Sequence, residues 1–132
     1  MIGTDIKRHP IHLGLGATAE VEPPFTGSMD WYAAYTERHH RDDAEGRLVS
    51  MHAFDQPWTV WEMHPSGSEV VLCTAGRITL HQQQDDGSLR TVVLEPGQYA
   101  INAPGVWHTA DADAPATALF ITAGMGTQHR VR

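Results

Sequence analysis

The chain has 132 residues, 41% hydrophobic and 19% charged, with a formal net charge of −7; this is the size and composition of one soluble globular domain with a single core, too short for two. Its nine Lys and Arg residues are scattered singly, which excludes the basic stripe that nucleic acid or an anionic membrane surface requires, and no apolar run is long enough to span a bilayer or make a signal peptide. The lone Cys73 excludes an internal disulfide and fits a reducing cytoplasm, the expected location.

Residues 1–27 read as an N-terminal arm. Lys7-Arg8-His9-Pro10 breaks structure, Ile11 to Leu15 is a weak strand, and Glu22 to Gly27 is an extended connector. Such an arm has no core of its own and is expected to pair with a sheet edge or a second subunit. His9 and His12 stand three apart but read as surface polar residues. Ser28 to about Arg41 predicts the one helix, with Ser28 as N-cap and Asp30 suited to the first turn. Its aromatic stripe, Trp31, Tyr32 and Tyr35, is expected to pack on the outside of a sheet. His39 to Asp43 reads as a solvated helix end and loop.

From Arg47 the chain reads as short strands broken by turns: Leu48–Phe54, Trp58–His64, Glu69–Thr74, Arg77–Gln84, Leu89–Leu94, Gln98–Asn102, Val106–Ala110 and Ala116–Ala123. Asp85-Asp86-Gly87-Ser88 is a strong hairpin turn, and residues 124–132 read as a tail. Many short strands with Gly and Pro between them predict an all-β sandwich or barrel, with the domain over 28–132, the helix about 28–41 and the barrel about 47–123.

Chemistry concentrates in Glu62-Met63-His64-Pro65-Ser66-Gly67-Ser68-Glu69. In a strand of period two, Val60, Glu62 and His64 face one way. If Pro65 to Ser68 closes a hairpin, His64 lies opposite Glu69 and all three polar side chains converge. Carboxylates and imidazoles suit a divalent first-row metal, and carboxylates left unpaired on a dry core face would be costly. A second polar element, Gly97 to His108, ends on a histidine after the turn Ala103-Pro104-Gly105.

Together these two elements resemble the cupin superfamily. The first cupin motif is Gly-x5-His-x-His-x3-4-Glu-x6-Gly. Glu62-x-His64-x4-Glu69-x6-Gly76 matches it, with Glu62 where the first histidine usually stands and Gln56 in place of the leading glycine. The second motif is Gly-x5-Pro-x-Gly-x2-His-x3-Asn. Gly97, Gly105 and His108 match it, the proline is displaced by one to Pro104, and Ala112 replaces the asparagine. The resemblance covers about Trp58 to Ala123. It implies a cupin jelly-roll barrel, here with one N-terminal helix packed outside.

The resemblance also implies one metal ion at the barrel mouth, held by His64, Glu69 and His108 with Glu62 in the fourth place. Two carboxylates and two imidazoles form a harder set than the family's three imidazoles and one carboxylate, and suit Fe, Mn, Zn or Ni. Glu62 also fits as a base beside the ion. By parity Trp58 and Val60 line the pocket with Glu62, Tyr99 and Ile101 share one strand face and are expected to line it too, and His52 joins them if Ser50 and Phe54 face inward. The expected function is that of a metal-dependent enzyme on a small molecule, in the range of dioxygenase, isomerase or lyase; the alternative is a non-catalytic module that binds or senses a small ligand. A homodimer is expected.

Overall fold

The computed structural model describes residues 2–132. Among these the chain forms β1 (Ile11–Gly14), β2 (Thr18–Val21), α1 (Met29–Arg38), a 3₁₀ segment (His40–Glu45), β3 (Arg47–Phe54), β4 (Val60–Met63), β5 (Glu69–Ala75), β6 (Ile78–Gln83), β7 (Leu89–Leu94), β8 (Tyr99–Asn102), β9 (His108–Asp111), β10 (Ala116–Thr122) and β11 (Gln128–Val131). Alternation decides the central strands. β5 buries Glu69, Val71 and Cys73, β6 buries Ile78, Leu80 and Gln82, and β10 buries Ala116, Ala118 and Phe120, each with less buried residues between. Two antiparallel sheets result, in the orders β2-β1-β3-β10-β5-β8 and β11-β4-β9-β6-β7. Val71, Cys73, Ala118 and Phe120 of the first pack against Ile78, Leu80, Leu94 and Ala110 of the second in one core.

The inward columns change character along the barrel. Cys73 and Val71 lead to Glu69, Ile78 and Leu80 lead to Gln82, Ala110 leads to His108, and Phe120 leads to Thr122. One end of the interior is therefore filled with apolar side chains, and the other gathers a ring of polar ones.

Two expectations, the hairpin at Pro65 to Ser68 and the tail, are corrected here, and the arm pairs with a sheet edge. Pro65 to Ser68 does not close a hairpin: β4 pairs with β9 and β11, whereas β5 pairs with β10 and β8. The turn carries the chain from one sheet to the other, so His64 meets Glu69 across the interior and not along a ladder. The arm folds into the β1–β2 hairpin and extends the larger sheet through β1 and β3. The tail contains β11, which pairs with β4 over its whole length.

The helix also departs from expectation. Ser28 caps it, its Oγ accepting from the Trp31 amide at 3.2 Å. It stops at Arg38, earlier than the run to Arg41, because His39 leaves helical backbone geometry (φ −115°, ψ 20°). It borders the barrel mouth, where Met29, Tyr32, Ala33, Tyr35 and Thr36 line the same chamber as Glu62, His64 and Glu69. Trp31 is its one buried residue, stacked on Tyr35 at 5.7 Å and meeting Phe25 edge-on at 5.0 Å. Two polar chains tie the helix region to the hairpin. His12 bridges Tyr35 and Asp42 at 2.6 Å each, and the buried Glu22 accepts from Arg38 at 2.7 Å and His39 at 2.9 Å. His12 and His39 are thus interior residues, where surface positions were expected.

Two glycines test this packing. Gly76 and Gly87 both have positive φ, 72° and 86°. A Cβ at Gly87 meets nothing within 4 Å, whereas one at Gly76 collides with the Pro115 carbonyl and lies 2.8 Å from Ala116 Cα. Gly87→Ala is expected to cost about 1–2 kcal/mol from backbone strain alone. Gly76→Ala is expected to cost roughly 3 kcal/mol or more, because backbone atoms must move as well. Urea unfolding of the two variants separates these values; equal costs would contradict the assignment of Gly76 to a close approach of two chain segments.

Candidate metal centre

The polar end of the interior is assembled from both sheets. Glu62 on β4 pairs directly with His108, the first residue of β9. His64 follows β4, and its carbonyl accepts from the Gly105 amide at 3.0 Å, tying it to the turn that precedes His108. Glu69 opens β5 in the other sheet, where its cross-strand partners are Asn102 and Thr122. One ligand-type atom from each of Glu62, His64, Glu69 and His108 lies within 4.8 Å of all the others. Glu69 Oε2 is 3.1 Å from His64 Nε2, and Glu69 Oε1 is 3.2 Å from His108 Nε2. Glu62 Oε2 stands further off, at 3.8 Å and 3.9 Å from the same two nitrogens. His108 is fully buried and His64 and Glu69 nearly so, while the Glu62 side chain is 27% exposed and sits on the wet side.

The hydrogen bonds behind these residues fix where the imidazole protons are. Thr127 Oγ1 donates its one proton to the Gly124 carbonyl at 2.8 Å, so toward His64 it accepts, and His64 Nδ1–H donates to it at 2.7 Å. His108 Nδ1–H donates to the Val106 carbonyl at 3.2 Å. In each neutral ring the proton is then on Nδ1, and Nε2 carries a lone pair directed at the carboxylates. Both Nε2 atoms are buried without a hydrogen-bond partner: they are close to Glu69, yet the geometry of a hydrogen bond to it is not met. Glu69 is in turn held by Asn102 Nδ2 at 3.1 Å and Thr122 Oγ1 at 2.7 Å, and Asn102 by Gln82 at 2.8 Å.

In the neutral form, lone pairs of two buried rings face a buried carboxylate with nothing between them, which is unfavourable unless a proton or a metal cation sits there. The donor set, two imidazole nitrogens and two carboxylates with their outer partners in place, fits a divalent transition ion. Electrostatics agree. Burial works against ionising Glu69, but His108 and His64 outweigh it and hold the carboxyl well below the usual carboxylate range. Burial would lower His108, but Glu69 beside it outweighs that and raises it.

A chamber of about 660 Å³ opens above this centre, between α1 and the inner face of the larger sheet. Trp58 and His52 line it, His52 together with Ser50 and Phe54 on the inward face of β3. Val60 does not reach it, but borders an adjoining shallow depression that shares Phe54, Trp58 and Glu62 with the chamber. Tyr99 and Ile101 are placed elsewhere. They pair with Leu72 and Val70 on the outer face of β5 and are 63% and 53% exposed, while Ala100 and Asn102 take the inward positions. Parity made them a pair, but the register to β5 sets which way the pair points.

Sequence reasoning missed Thr127 and His129, both on the supposed tail and both lining the chamber. It also missed Tyr32, whose phenol is pushed up to about 12 by burial and by the carboxylates of Glu62 and Glu69. A second group of ligand-type residues, His12, His39 and Asp42, gathers under α1. It does not form a metal centre. The two rings stack at 3.6 Å and 15°, so their in-plane lone pairs run nearly parallel and do not converge. Both nitrogens of His12 are also taken by Tyr35 and Asp42.

No family model matches the sequence, and no curated protein is similar to it. Solved structures do match. An oxalate decarboxylase of Bacillus subtilis, described for its Mn(II) centres, aligns at a TM-score of 0.55 and 15% identity over 73% of this chain and 26% of its own. A hydroquinone 1,2-dioxygenase in complex with Cd2+ and 4-hydroxybenzonitrile aligns at 0.52 and 15% over 58% of this chain and 56% of its own. A cupin-2 domain protein of Shewanella frigidimarina aligns at 0.50 and 17% over 58% and 69%. The chain thus spans about a quarter of the decarboxylase and little more than half of the dioxygenase. Across three such different proteins the shared feature is the barrel, and the fold of this chain is that of the cupin superfamily.

Proposed function

We propose that Glu62, His64, Glu69 and His108 hold one divalent transition metal, Fe, Mn, Zn or Ni, and that the protein is a metal-dependent enzyme acting on a small uncharged molecule in the chamber. The observation that carries this reading is the pair of buried, unpartnered Nε2 atoms facing Glu69. When bound, such an ion supplies Lewis acidity next to whatever enters the chamber. The chain supplies the rest. Trp58, Phe54 and Phe120 form an apolar wall, Tyr32 presents a phenol that stays protonated, and His52, lowered by burial, presents a neutral imidazole.

The charge of the walls selects the substrate class. Among the described residues that line the chamber, the charged ones are Asp43, Glu62 and Glu69, and none is Lys or Arg. Three carboxylates outweigh one divalent ion, so an anionic ligand enters a chamber of net negative charge in which no Lys or Arg assists the ion in pairing with it. A phenol or polyol suits it better than a dicarboxylate such as oxalate. The metal-loaded protein is therefore expected to bind hydroquinone at least tenfold more tightly than 4-hydroxybenzoate, which has the same ring and para-hydroxyl plus one carboxylate. Calorimetric titration compares them, and tighter binding of the acid would overturn the substrate class.

Metal binding itself has a predicted pH dependence. His108 is raised, so its contribution to the ion-free fold is fully present below its unfolded pKa, near 6.5, and is lost as pH rises through the folded value. Glu69 is lowered, so its contribution is fully present above the ordinary carboxyl range and is lost progressively as pH falls through that range toward the lowered folded value. The ion must displace the His108 proton, which costs about tenfold in apparent affinity per pH unit on the acid side. Excess Mn(II) should raise the melting temperature more at pH 8 than at pH 5.5, and equal shifts would refute a centre built on imidazole. His64→Ala and Glu69→Ala should abolish the shift while the ion-free proteins remain folded.

A homodimer completes the proposal. β8 is the edge of the larger sheet and shows Tyr99 and Ile101 to solvent, and Val93 on the neighbouring edge β7 is 50% exposed. Sedimentation at micromolar concentration should give twice the 14.5 kDa chain mass; monomer alone would remove this part of the account.

A further inference from the structure

The four candidate ligands differ in how firmly they are held. Glu69 accepts from Asn102 and Thr122, His108 is fixed by the Val106 carbonyl, and His64 by Thr127. Glu62 is the most exposed of them, and its remaining oxygen has one near neighbour: Oε1 lies 3.5 Å from His129 Nε2. This approach is set by backbone register. His129 on β11 is the direct cross-strand partner of Glu62 on β4, whose partner on the other side is His108. His129, Glu62 and His108 therefore form one row over three adjacent strands, with Glu62 in the middle. Its two oxygens divide between the neighbours, Oε1 toward His129 and Oε2 toward the two unpartnered nitrogens.

The strand that carries His129 is fastened on both sides of it. Arg130 stacks over Trp61 at 5.3 Å and Trp107 at 4.6 Å and donates to Gln83 at 2.9 Å. Arg132 donates to the carbonyls of Trp58 and Ala110 at 3.2 and 3.3 Å and pairs with Asp111 at 2.5 Å. Before it, Thr127 is pinned by its bond to the Gly124 carbonyl. Thr127 and His129 are alternate residues of one segment, and each meets a different candidate ligand.

Resting on the metal reading above, we infer that Thr127 and His129 are positioning residues of the centre: Thr127 sets the tautomer of His64, and His129 turns Glu62 so that Oε2 faces the ion. Outer partners of this kind commonly govern 10- to 100-fold in metal affinity.

The test uses the full chain and Co(II) alone as the probe, read by its visible absorption and by titration. Wild type should bind Co(II) at one equivalent. His129→Leu should weaken binding about tenfold or more and alter the Co(II) bands, His129→Gln, which keeps a donor near the Nε2 position, should recover most of the loss, and Thr127→Val should weaken binding similarly. Arg132→Met loosens the same strand away from the centre; it should lower the melting temperature of the ion-free protein and leave affinity and bands unchanged. If wild type takes up no Co(II), the metal reading and this inference both fall. If wild type binds and His129→Leu binds as tightly with the same bands, or if Arg132→Met reproduces its effect, the inference falls while the metal reading stands.

Discussion

The structure turns on one unresolved electrostatic fact: two imidazole lone pairs and a buried carboxylate occupy the same few ångströms of the interior. Each group is firmly held from behind, His64 by Thr127, His108 by the Val106 carbonyl, Glu69 by Asn102 and Thr122. Because the partners fix the tautomers, a neutral ring presents a lone pair to Glu69, and only an added proton or a metal cation can fill the gap between them. The polar network is complete everywhere except at its centre. A network satisfied on the outside and bare on the inside is what a cation-binding site looks like before the cation is counted.

The rest of the fold serves that point. The two sheets share an apolar core at one end, and the same inward columns end in Glu69, Gln82, His108 and Thr122 at the other. The apolar end needs no partner beyond itself. The polar end is covered by α1, which is tied to the N-terminal hairpin through His12 and Glu22 and walls the chamber with Tyr32 and Tyr35. Segments far apart in the chain thus converge: the helix region, the β4–β5 crossover, the turn before β9 and the C-terminal strand.

What was legible in the sequence was local, and what was not depended on pairing between distant segments. Spacing grouped Glu62, His64 and Glu69, the cupin resemblance added His108, and the structure brings their ligand-type atoms within 4.8 Å. The route was misread. A turn of Pro, Ser, Gly and Ser looks the same whether it closes a hairpin or crosses between sheets, and only the distant partners of β4 and β5 decide it. Parity named Tyr99 and Ile101 as a pair, but the phase of that alternation came from their register with Leu72 and Val70. Gln128-His-Arg-Val carries no hydrophobic period, because its strand is made by backbone pairing with β4 and by the stacking of Arg130. Hence the tail was passed over, and with it Thr127 and His129. The helix was recognised from its cap and stripe, but amphipathic pattern does not reveal which surface an aromatic stripe will cover.

The central claim, that both imidazoles and the carboxylates point at one ion, is tested most directly by X-ray absorption at the zinc edge of the Zn-loaded protein. Two histidine rings bound through nitrogen at about 2.0–2.1 Å, with the remaining first neighbours oxygen and no sulfur, is the predicted result. A zinc environment with one imidazole or none would place the ion elsewhere and leave the facing lone pairs of His64 and His108 without the partner this account assigns them.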